Sequence, residues 1–384
     1  MKLESTVEAT GSEWVSVRRV GEWNQVRPFW SELASTSPHS SFFLSLAWIE
    51  SWLETFGAVL KPEVLVFESH EQVVGTCLLV RQTAWRGPLR VKRIYLNTAG
   101  EDEADSPCVE FNNILCREGW EHAVAAALFS YLKLEPWDEI AASGFCKGPV
   151  LDALAAVFAD FRHEVTWRSS YYVDLARLQE SNTNYVSALS RKWRQHLRQS
   201  IKLYEQTGAL RVEPSRGVSE ALEMLDHLSA LHQRTWMERG KPGAFASPRF
   251  LDFHRRLIRR SVPKREVELL RVAAGHQTVG FRYNFLQRGK VYCYQSGLNY
   301  HKDDRYKPGL VVHSCAIHHY QEQGLREYDF LAGDAQYKKS LSTNSRLLAW
   351  VLFRRRNLKF RAIEELRAIK AAVRTHLKPA AADK

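Results

Sequence analysis

Apolar and polar positions follow two different periods in the first half of the chain. Residues Trp14–Val20 alternate as a strand does, and residues 43–56 carry aromatic and aliphatic side chains at helical spacing. The apolar runs 63–67 and 73–80 are joined by a short polar link, which predicts a β-hairpin. Further strands are predicted at 91–95, 109–115, 139–142 and 164–175, with helices at 121–132 and 150–158. Alternating elements of this kind indicate a layered α/β fold.

The second half opens with helical periods and then changes to strand periods. An amphipathic helix is predicted over residues 184–205 and another over 219–237. A third helix begins at Ser247 and Pro248, where a serine cap precedes a proline in the first turn. A three-stranded meander follows, with strands predicted at 267–273, 279–286 and 290–298. After it come a helix at 309–323 and two strands, at 327–331 and 347–353.

Length and charge both divide the chain in two. Its 384 residues exceed an ordinary domain of ~150 residues. Residues 1–170 contain 15 Lys or Arg and 23 Asp or Glu, a net charge of −8, whereas residues 171–384 contain 39 and 20, a net charge of +19. We predict an amino-terminal domain of residues 1–175, a carboxy-terminal domain of residues 176–378 and a disordered tail of residues 379–384. The positive half would attract a polyanion such as CoA, a sugar nucleotide or tRNA.

Several classes of protein and site are disfavoured. No stretch reaches the ~18 uninterrupted apolar residues of a membrane helix, so we expect a cytoplasmic protein without membrane insertion. The six cysteines form no Cys-x-x-Cys pair, and His313, His318 and His319 lack the Asp, Glu or Cys spacing of a site, so no metal is expected. The sequence also lacks the Gly-x-Ser-x-Gly motif of hydrolases and the phosphate loop of NTPases.

A phosphate site is expected where the meander leads into its helix. Unpaired N–H groups and the positive end of the dipole make a helix start bind phosphate. Lys307 and Pro308 precede the amides of Gly309, Leu310 and Val311 at this point. Gly309 would let the backbone approach an anion closely. These five residues are therefore the predicted phosphate-binding group.

Dispersed motifs resemble the CelD-like GNAT acetyltransferases, a family associated with cellulose biosynthesis. They are the runs Tyr292-Cys-Tyr-Gln-Ser-Gly297, Tyr306-Lys-Pro-Gly-Leu310 and Tyr328-Asp-Phe-Leu-Ala-Gly333, with Tyr337-Lys338 after them. Leu231-His-Gln-Arg234 with Trp236, and Gly243-Ala-Phe245, are also similar to that family. The chain departs from the usual GNAT phosphate loop, Arg/Gln-x-x-Gly-x-Gly/Ala, because Tyr306-Lys-Pro-Gly-Leu-Val has a single glycine.

The resemblance implies two GNAT-like α/β domains, each a mixed, mostly antiparallel sheet flanked by helices, as in the related Fem-type transferases. It implies acetyl-CoA or another acyl-CoA as co-substrate, bound by the basic second domain, with a degenerate acidic first domain. In that arrangement the backbone from Tyr294 to Gly297 is free to pair with the donor's pantetheine. The implied reaction is N- or O-acylation of a small-molecule or saccharide acceptor, often in polysaccharide or envelope biosynthesis.

Three side chains are candidates for the chemistry, which needs a base for the acceptor's proton and donors for the thioester oxygen. Asp329 lies at the end of a strand beside the expected cleft, where aspartates are more often structural caps. His301 follows the third meander strand and is of a residue type that commonly serves as a general base, although loop histidines are commonly only solvated. Lys338 could stabilise a phosphate or an oxyanion, or be a surface lysine.

Four residues are candidates for acceptor binding. Arg191 and Arg194 belong to a basic stripe on the helix at 184–205, continued by Arg198 and Lys202, which could equally be a solvated face. Trp236 and Arg239 lie on a segment able to border the acceptor.

Three functions remain open at this point. The first is acyl-CoA-dependent acyl transfer. The second is a Fem-like aminoacyl transfer from tRNA, favoured by the basic stripe. The third is a binding protein that has kept the fold without its chemistry.

Overall fold

The computed structural model describes residues 5–8, 14–86, 89–356 and 360, so the predicted tail at 379–384 lies outside the described residues. Within this part of the chain, fourteen strands form one sheet. They are β1 (Ser5–Glu8), β2 (Trp14–Val20), β3 (Glu63–Ser69), β4 (Gln72–Arg86), β5 (Leu89–Leu96), β6 (Leu115–Cys116), β7 (Glu139–Cys146), β8 (Arg162–Asp174), β9 (Leu210–Pro214), β10 (Val267–Ala274), β11 (Gln277–Gln287), β12 (Lys290–Leu298), β13 (Glu327–Ala332) and β14 (Asn344–Arg354).

Helices cover both faces of the sheet. They are α1 (Trp23–Thr36), α2 (Leu46–Leu60), α3 (Glu121–Lys133), α4 (Pro149–Val157), α5 (Leu175–Glu180), α6 (Tyr185–Ala188), α7 (Arg191–Glu205), α8 (Val218–Glu238), α9 (Pro248–Ser261), α10 (Pro308–Glu322) and α11 (Gln336–Leu341). The predicted α/β layering, the meander and the helix after it are confirmed. Ser247 caps α9 as expected, because its Oγ accepts from the amide of Phe250 at 3.1 Å.

The two halves of the sheet follow the same plan. β3, β4 and β5 form an antiparallel meander, α3 follows, and β7 then pairs parallel to β5. In the second half β10, β11 and β12 form the meander, α10 follows, and β13 pairs parallel to β12. Each half therefore has a crossover helix between two parallel strands, which is the layered arrangement that the sequence predicts.

The halves are joined by strands that pair across them. β14, from the end of the described chain, lies between β7 and β8, and β8 pairs with both β14 and β13. The order along the sheet is β1-β2-β3-β4-β5-β7-β14-β8-β13-β12-β11-β10-β9, with β6 beside β4. The sheet thus passes through the predicted boundary at residue 175 without interruption, and that boundary stays a prediction.

A shared apolar core also connects the halves, on the side of α1, α2, α8 and α9. The rings of Trp48 in α2 and Phe253 in α9 meet edge to face with centroids 4.8 Å apart. Phe42 stacks on Phe285 of β11 at 4.4 Å. Fully buried aromatic pairs of this kind contribute about 0.5–1.5 kcal/mol beyond their buried area. A second core fills the space between the other face of the carboxy-terminal half and α10.

The single helix predicted over 184–205 is wrong. Residues Leu189 and Ser190 have extended backbone, with ψ of 153° and 156°, and separate α6 from α7. The guanidinium of Arg194 donates to the carbonyls of Ser187 and Leu189 and so satisfies backbone groups that a continuous helix would have paired.

The strand predicted over 109–115 is also wrong, since only Leu115 and Cys116 pair as β6. The preceding segment makes only one isolated bridge, between Asn112 and Phe145 of β7, and buried amide side chains bond to backbone carbonyls around it. Asn112 Nδ2 donates to the carbonyls of Leu96 and Ser143 at 3.2 and 3.0 Å. This irregular segment brings Glu110 into the site described next.

Candidate active site

A cavity of about 1230 Å³ lies between the two halves of the molecule. One part of its wall comes from the acidic loop at 103–110 and from the end of α8 with the loop after it. The other part comes from β12, the beginning of α10, the end of β13 and α11. Both halves are therefore needed to form it.

The parallel strands β12 and β13 separate inside this cavity. Their pairing covers only three positions and ends where Tyr292 faces Asp329. On its other edge β12 has a bulge, because Tyr283 faces Gln295 and Asn284 faces Cys293, which leaves Tyr294 as the extra residue. Bulges of this type redirect side chains and are frequent beside active sites. The splay opens a slot through the sheet.

The predicted phosphate-binding group lies at one end of the cavity. Lys307, Pro308, Gly309 and Leu310 line it, and no side chain caps the first turn of α10. The amide of Lys307 itself donates to Ser200 Oγ at 2.9 Å and ties the turn to α7. An uncapped start of a fifteen-residue helix, next to a lysine, can accept a phosphate.

Two residues predicted to bind the donor do not line the cavity. Val311 is fully buried in the core beneath α10. Gly297 faces α8, where a Cβ atom would collide with the backbone of Leu228. The absence of a side chain at Gly297 therefore permits the close crossing of α8 over β12, while its neighbours Gln295 and Ser296 face the cavity.

Asp329 is buried behind the cavity wall and does not line it. Its Oδ1 accepts from Ser170 Oγ at 2.6 Å and from the amide of Leu331 at 2.7 Å. Burial raises the pKa of Asp329 to about 6, and the neighbouring Arg346 opposes that rise. Leu331 has a φ of +63°, a strained conformation for leucine. The carboxylate thus holds an irregular turn whose residues do line the cavity.

Lys338 and His301 both line the cavity. The Nζ atom of Lys338 donates to the carbonyls of Leu331 and Ala332 at 3.0 and 2.7 Å. Burial lowers the pKa of Lys338, and the charge of Glu110 opposes this. The ring of His301 lies against that of Tyr306, with centroids 4.3 Å apart, and its Nδ1 accepts from the amide of Asp303 at 3.0 Å.

Glu110 is a site residue that the sequence reasoning missed. It comes from the amino-terminal half and lines the cavity beside the splay, where its Oε2 accepts from the amide of Ala332 at 2.7 Å. Burial raises the pKa of Glu110 to about 7, and the Ala332 amide and the charge of Lys338 oppose the rise. The available signal was the acidic run at 101–110, which carries five carboxylates in ten residues.

The four residues predicted to bind the acceptor separate into two groups. Trp236 and Arg239 line the cavity, and the guanidinium of Arg239 lies 5.9 Å from the centre of the Trp236 ring. Arg191 and Arg194 instead face a separate shallow surface depression on α7, together with Arg198 and Lys202. The cavity and the basic stripe are therefore different surfaces.

One group of possible metal ligands occurs among the described residues, outside the cavity. The ligand atoms of His39, Cys116 and Glu121 lie within 4.8 Å of one another. His39 Nε2 is 2.6 Å from Glu121 Oε1, and burial raises the pKa of the Cys116 thiol to about 12. A protonated thiol beside a paired histidine favours a structural contact. The expectation of no metal stays a prediction.

No helix within the described ranges is both long and apolar enough to cross a bilayer.

The splayed parallel strands, the uncapped start of the helix that connects them and the cavity between the two halves are features of a GNAT-like fold, and comparisons with known proteins agree with that fold. Residues 191–339 match the family described as acetyltransferase (GNAT) domain. The structure of FemX superposes with a TM-score of 0.56 at 12% identity, over 88% of this chain and 96% of that chain. A conserved protein of unknown function from Bacteroides thetaiotaomicron superposes with a TM-score of 0.50 at 12% identity, over 88% and 99%.

At 12% identity, these two superpositions show that the protein shares its fold with both structures. No curated protein sequence matches the chain. The matched domain contains the whole predicted donor site, including Lys307, Gly309 and Lys338.

Proposed function

We propose that the protein transfers an acyl group from acyl-CoA to an amine of a small-molecule or saccharide acceptor. The observation that carries this proposal is the placement of two unlike sites in one cavity, on opposite faces of the sheet. Cys293 of β12 faces α10, since its Sγ lies 4.0 Å from His313 Nδ1. The next residue, Tyr294, faces the acidic loop, and its hydroxyl donates to the carbonyl of Pro107 at 2.8 Å.

The donor would occupy the α10 face. Its diphosphate would bind the first-turn amides at Gly309 and Leu310, with Lys307 beside them. Its pantetheine would follow the edge of β12 that β13 leaves unpaired after Tyr292. His301, whose ring lies against that of Tyr306 near the beginning of α10, would contact the donor.

The acceptor would enter from the other face, beside the acidic loop. Glu103, Asp105 and Glu110 line the cavity there together with Arg239 and Lys241, and the three carboxylates would bind a cationic amine better than a neutral hydroxyl. Trp236 offers an apolar surface that a sugar ring or alkyl chain could cover. A saccharide amine, as the CelD-like resemblance implies, is one acceptor with this chemistry.

Glu110 would act as the general base. A carboxylate with a pKa near 7 is half ionised at neutral pH, which suits it to take a proton from an ammonium or from the attacking amine. The amine nitrogen then forms a bond to the thioester carbonyl carbon and the carbon–sulfur bond breaks. CoA leaves as a thiolate that takes up a proton from solvent, and Glu110 releases its proton to solvent. Lys338, held by two carbonyls at the splay, would add positive charge near the thioester oxygen.

Asp329 would act as a positioning residue. It holds the amide of Leu331, whose carbonyl accepts from Lys338, and so fixes the ammonium group that faces Glu110. Its distance from the cavity lining makes Glu110 a better placed base than Asp329.

A second candidate is aminoacyl transfer from tRNA. The exposed basic residues of α7 favour it, since Arg191, Arg198 and Lys202 form a continuous cationic surface beside the cavity wall contributed by Trp193. The test compares ligands directly. Acetyl-CoA should raise the melting temperature of the protein, and release of the CoA thiol should depend on an added amine. Stabilisation by charged tRNA and not by any CoA ester would support the second candidate instead.

A further inference from the structure

Arg282, in the middle of β11, is a buried cation without an acidic partner. It is 3% exposed, and its Nε has no hydrogen-bond partner. Among the described residues, none places a carboxylate oxygen within 4.0 Å of its guanidinium. Buried arginines are almost always paired, because removing an unpaired charge from water is costly. Arg282 lines the cavity, so the missing partner can come from a ligand.

The side chain lies on the donor face of the sheet. Its neighbours Phe281 and Tyr283 belong to the core beneath α8 and α9. Asn284, two residues along β11, faces α10 and donates to Tyr320 Oη at 3.0 Å. Because alternate residues of a strand share a face, Arg282 points the same way as Asn284. It therefore lies with the beginning of α10 and opposite the acidic loop.

The side chains that interact directly with Arg282 are neutral or positive. The hydroxyl of Tyr328 lies beside the guanidinium and also contacts His313 Nδ1 at 3.1 Å. Burial, followed by the charges of Arg282 and Lys338, lowers the pKa of His313 well below its ordinary value, so the imidazole stays neutral. Tyr337 and Lys338 complete the surroundings from α11. Lys338 interacts with the charges of Glu110, Asp329 and Asp334, whereas no carboxylate of the described residues pairs with Arg282.

We infer that Arg282 binds a carboxylate carried by the donor's acyl group, so that the preferred donor is the CoA thioester of a dicarboxylic acid. This inference rests on the proposed function. The diphosphate and the acceptor are not the partners of Arg282, because the proposed function places the diphosphate at the uncapped turn of α10 and the acceptor on the opposite face. The acyl chain is the part of the donor that reaches inward from the splay, on the side of Cys293 and His313. The distal carboxylate keeps its charge throughout the transfer, while the amine–carbon bond forms and the carbon–sulfur bond breaks.

The experiment compares succinyl-CoA with butyryl-CoA, which has the same number of acyl carbons and no charge. Free CoA is the third ligand, and affinities are measured by calorimetry. Wild type should bind succinyl-CoA at least about tenfold more tightly than butyryl-CoA, as expected for a charge-assisted hydrogen bond. In Arg282→Gln that preference should fall below about twofold, and Arg282→Lys should keep part of it.

Arg271→Gln is the matched control. Arg271 lies on the neighbouring strand β10 but outside the cavity lining, where it pairs with Glu213 at 2.8 Å. This variant should keep the wild-type preference for succinyl-CoA.

Three outcomes would overturn the inference. Wild type could bind butyryl-CoA as tightly as succinyl-CoA, which leaves the proposed acyl transfer intact. Arg282→Gln could weaken all three ligands equally, which would assign Arg282 to the diphosphate. If no CoA compound binds wild type, the proposed function falls and the inference falls with it. Should Arg282→Gln fail to fold, the wild-type comparison and Arg282→Lys still decide.

Discussion

The amide of Ala332 donates a hydrogen bond to Oε2 of Glu110 at 2.7 Å, across 222 residues of sequence. Ala332 belongs to β13 of the matched acetyltransferase domain, whereas Glu110 belongs to the acidic loop of the amino-terminal half. This bond places a carboxylate from one half at the splay of the other. The amino-terminal half is therefore part of the proposed chemistry, and the predictions below test that role.

Replacing Glu110 with Gln should remove the base without changing the size of the side chain. We expect kcat to fall by roughly 10²- to 10⁴-fold, the usual contribution of a general base. Wild-type kcat/KM should rise with pH and level off above about 7, because only the ionised carboxylate accepts the proton. In Glu110→Gln this rise of kcat/KM with pH, the acidic limb of the pH profile, should be absent. Glu118→Gln, at an exposed position, is the control, and an unchanged limb in Glu110→Gln would exclude Glu110 as the base.

Glu110→Gln should lower activity but raise the stability of the folded protein. The folded-state pKa of Glu110 is about 7 against an ordinary value of 4.5, so the folded protein holds this proton more tightly than the unfolded chain. The resulting stability is present below pH 4.5 and is lost as the pH rises through 7. Above pH 7 Glu110→Gln should be more stable than wild type by about 1–3 kcal/mol.

Denaturant unfolding at pH 5 and pH 8.5 measures this difference. The gain should be larger at pH 8.5. An equal change in the free energy of unfolding at both pH values would show that folding does not raise the pKa of Glu110.

Replacing Asp329 with Asn should disturb the position of Lys338 and leave the proton acceptor in place. We expect kcat to fall by about tenfold, with little change in the donor KM, because Asn can still accept from the amide of Leu331 more weakly. The pH limb near 7 should remain. If Asp329→Asn loses that limb and Glu110→Gln keeps it, Asp329 is the base and the roles proposed here are reversed.

Much of the carboxy-terminal architecture could be predicted from local patterns. The meander at β10–β12 and the helix beginning at Pro308 follow from alternation and from a Pro-Gly break, and both are properties of neighbouring residues. The predictions from sequence failed where contacts with residues distant in sequence determine the local structure. Asn112 makes a single isolated bridge to β7, and its side chain bonds to the carbonyls of Leu96 and Ser143, so the predicted strand at 109–115 becomes the loop that carries Glu110.

Long-range contacts also decide the position of one strand and the role of one site residue. The position of β14 between β7 and β8 depends on pairs of residues from 172 to 215 positions apart, which no local period encodes. Arg282 lies in a mostly apolar strand, and the sequence alone shows it only as one polar residue in an alternating pattern. Only the surrounding side chains show that its charge lacks a partner.

The basic stripe on α7 separates the two candidate functions. Arg198→Gln combined with Lys202→Gln should leave acyl-CoA turnover within about twofold of wild type, because both residues face the surface depression and not the cavity. Binding of tRNA, if it occurs, should weaken and become less dependent on salt. A large loss of acyl-CoA turnover in this variant would place the donor on α7.

The most direct test of the account is the affinity for acetyl-CoA in Gly309→Val, compared with wild type and Gly217→Val. A Cβ atom at Gly309 would lie 3.3 Å from Leu298 Cδ1 at the beginning of α10, where the diphosphate is proposed to bind, whereas Gly217 begins α8 with open space around it and extended backbone. Calorimetry should show binding to wild type and Gly217→Val, and an affinity at least about tenfold lower for a folded Gly309→Val. Equal affinities in all three proteins would contradict a donor site at the start of α10.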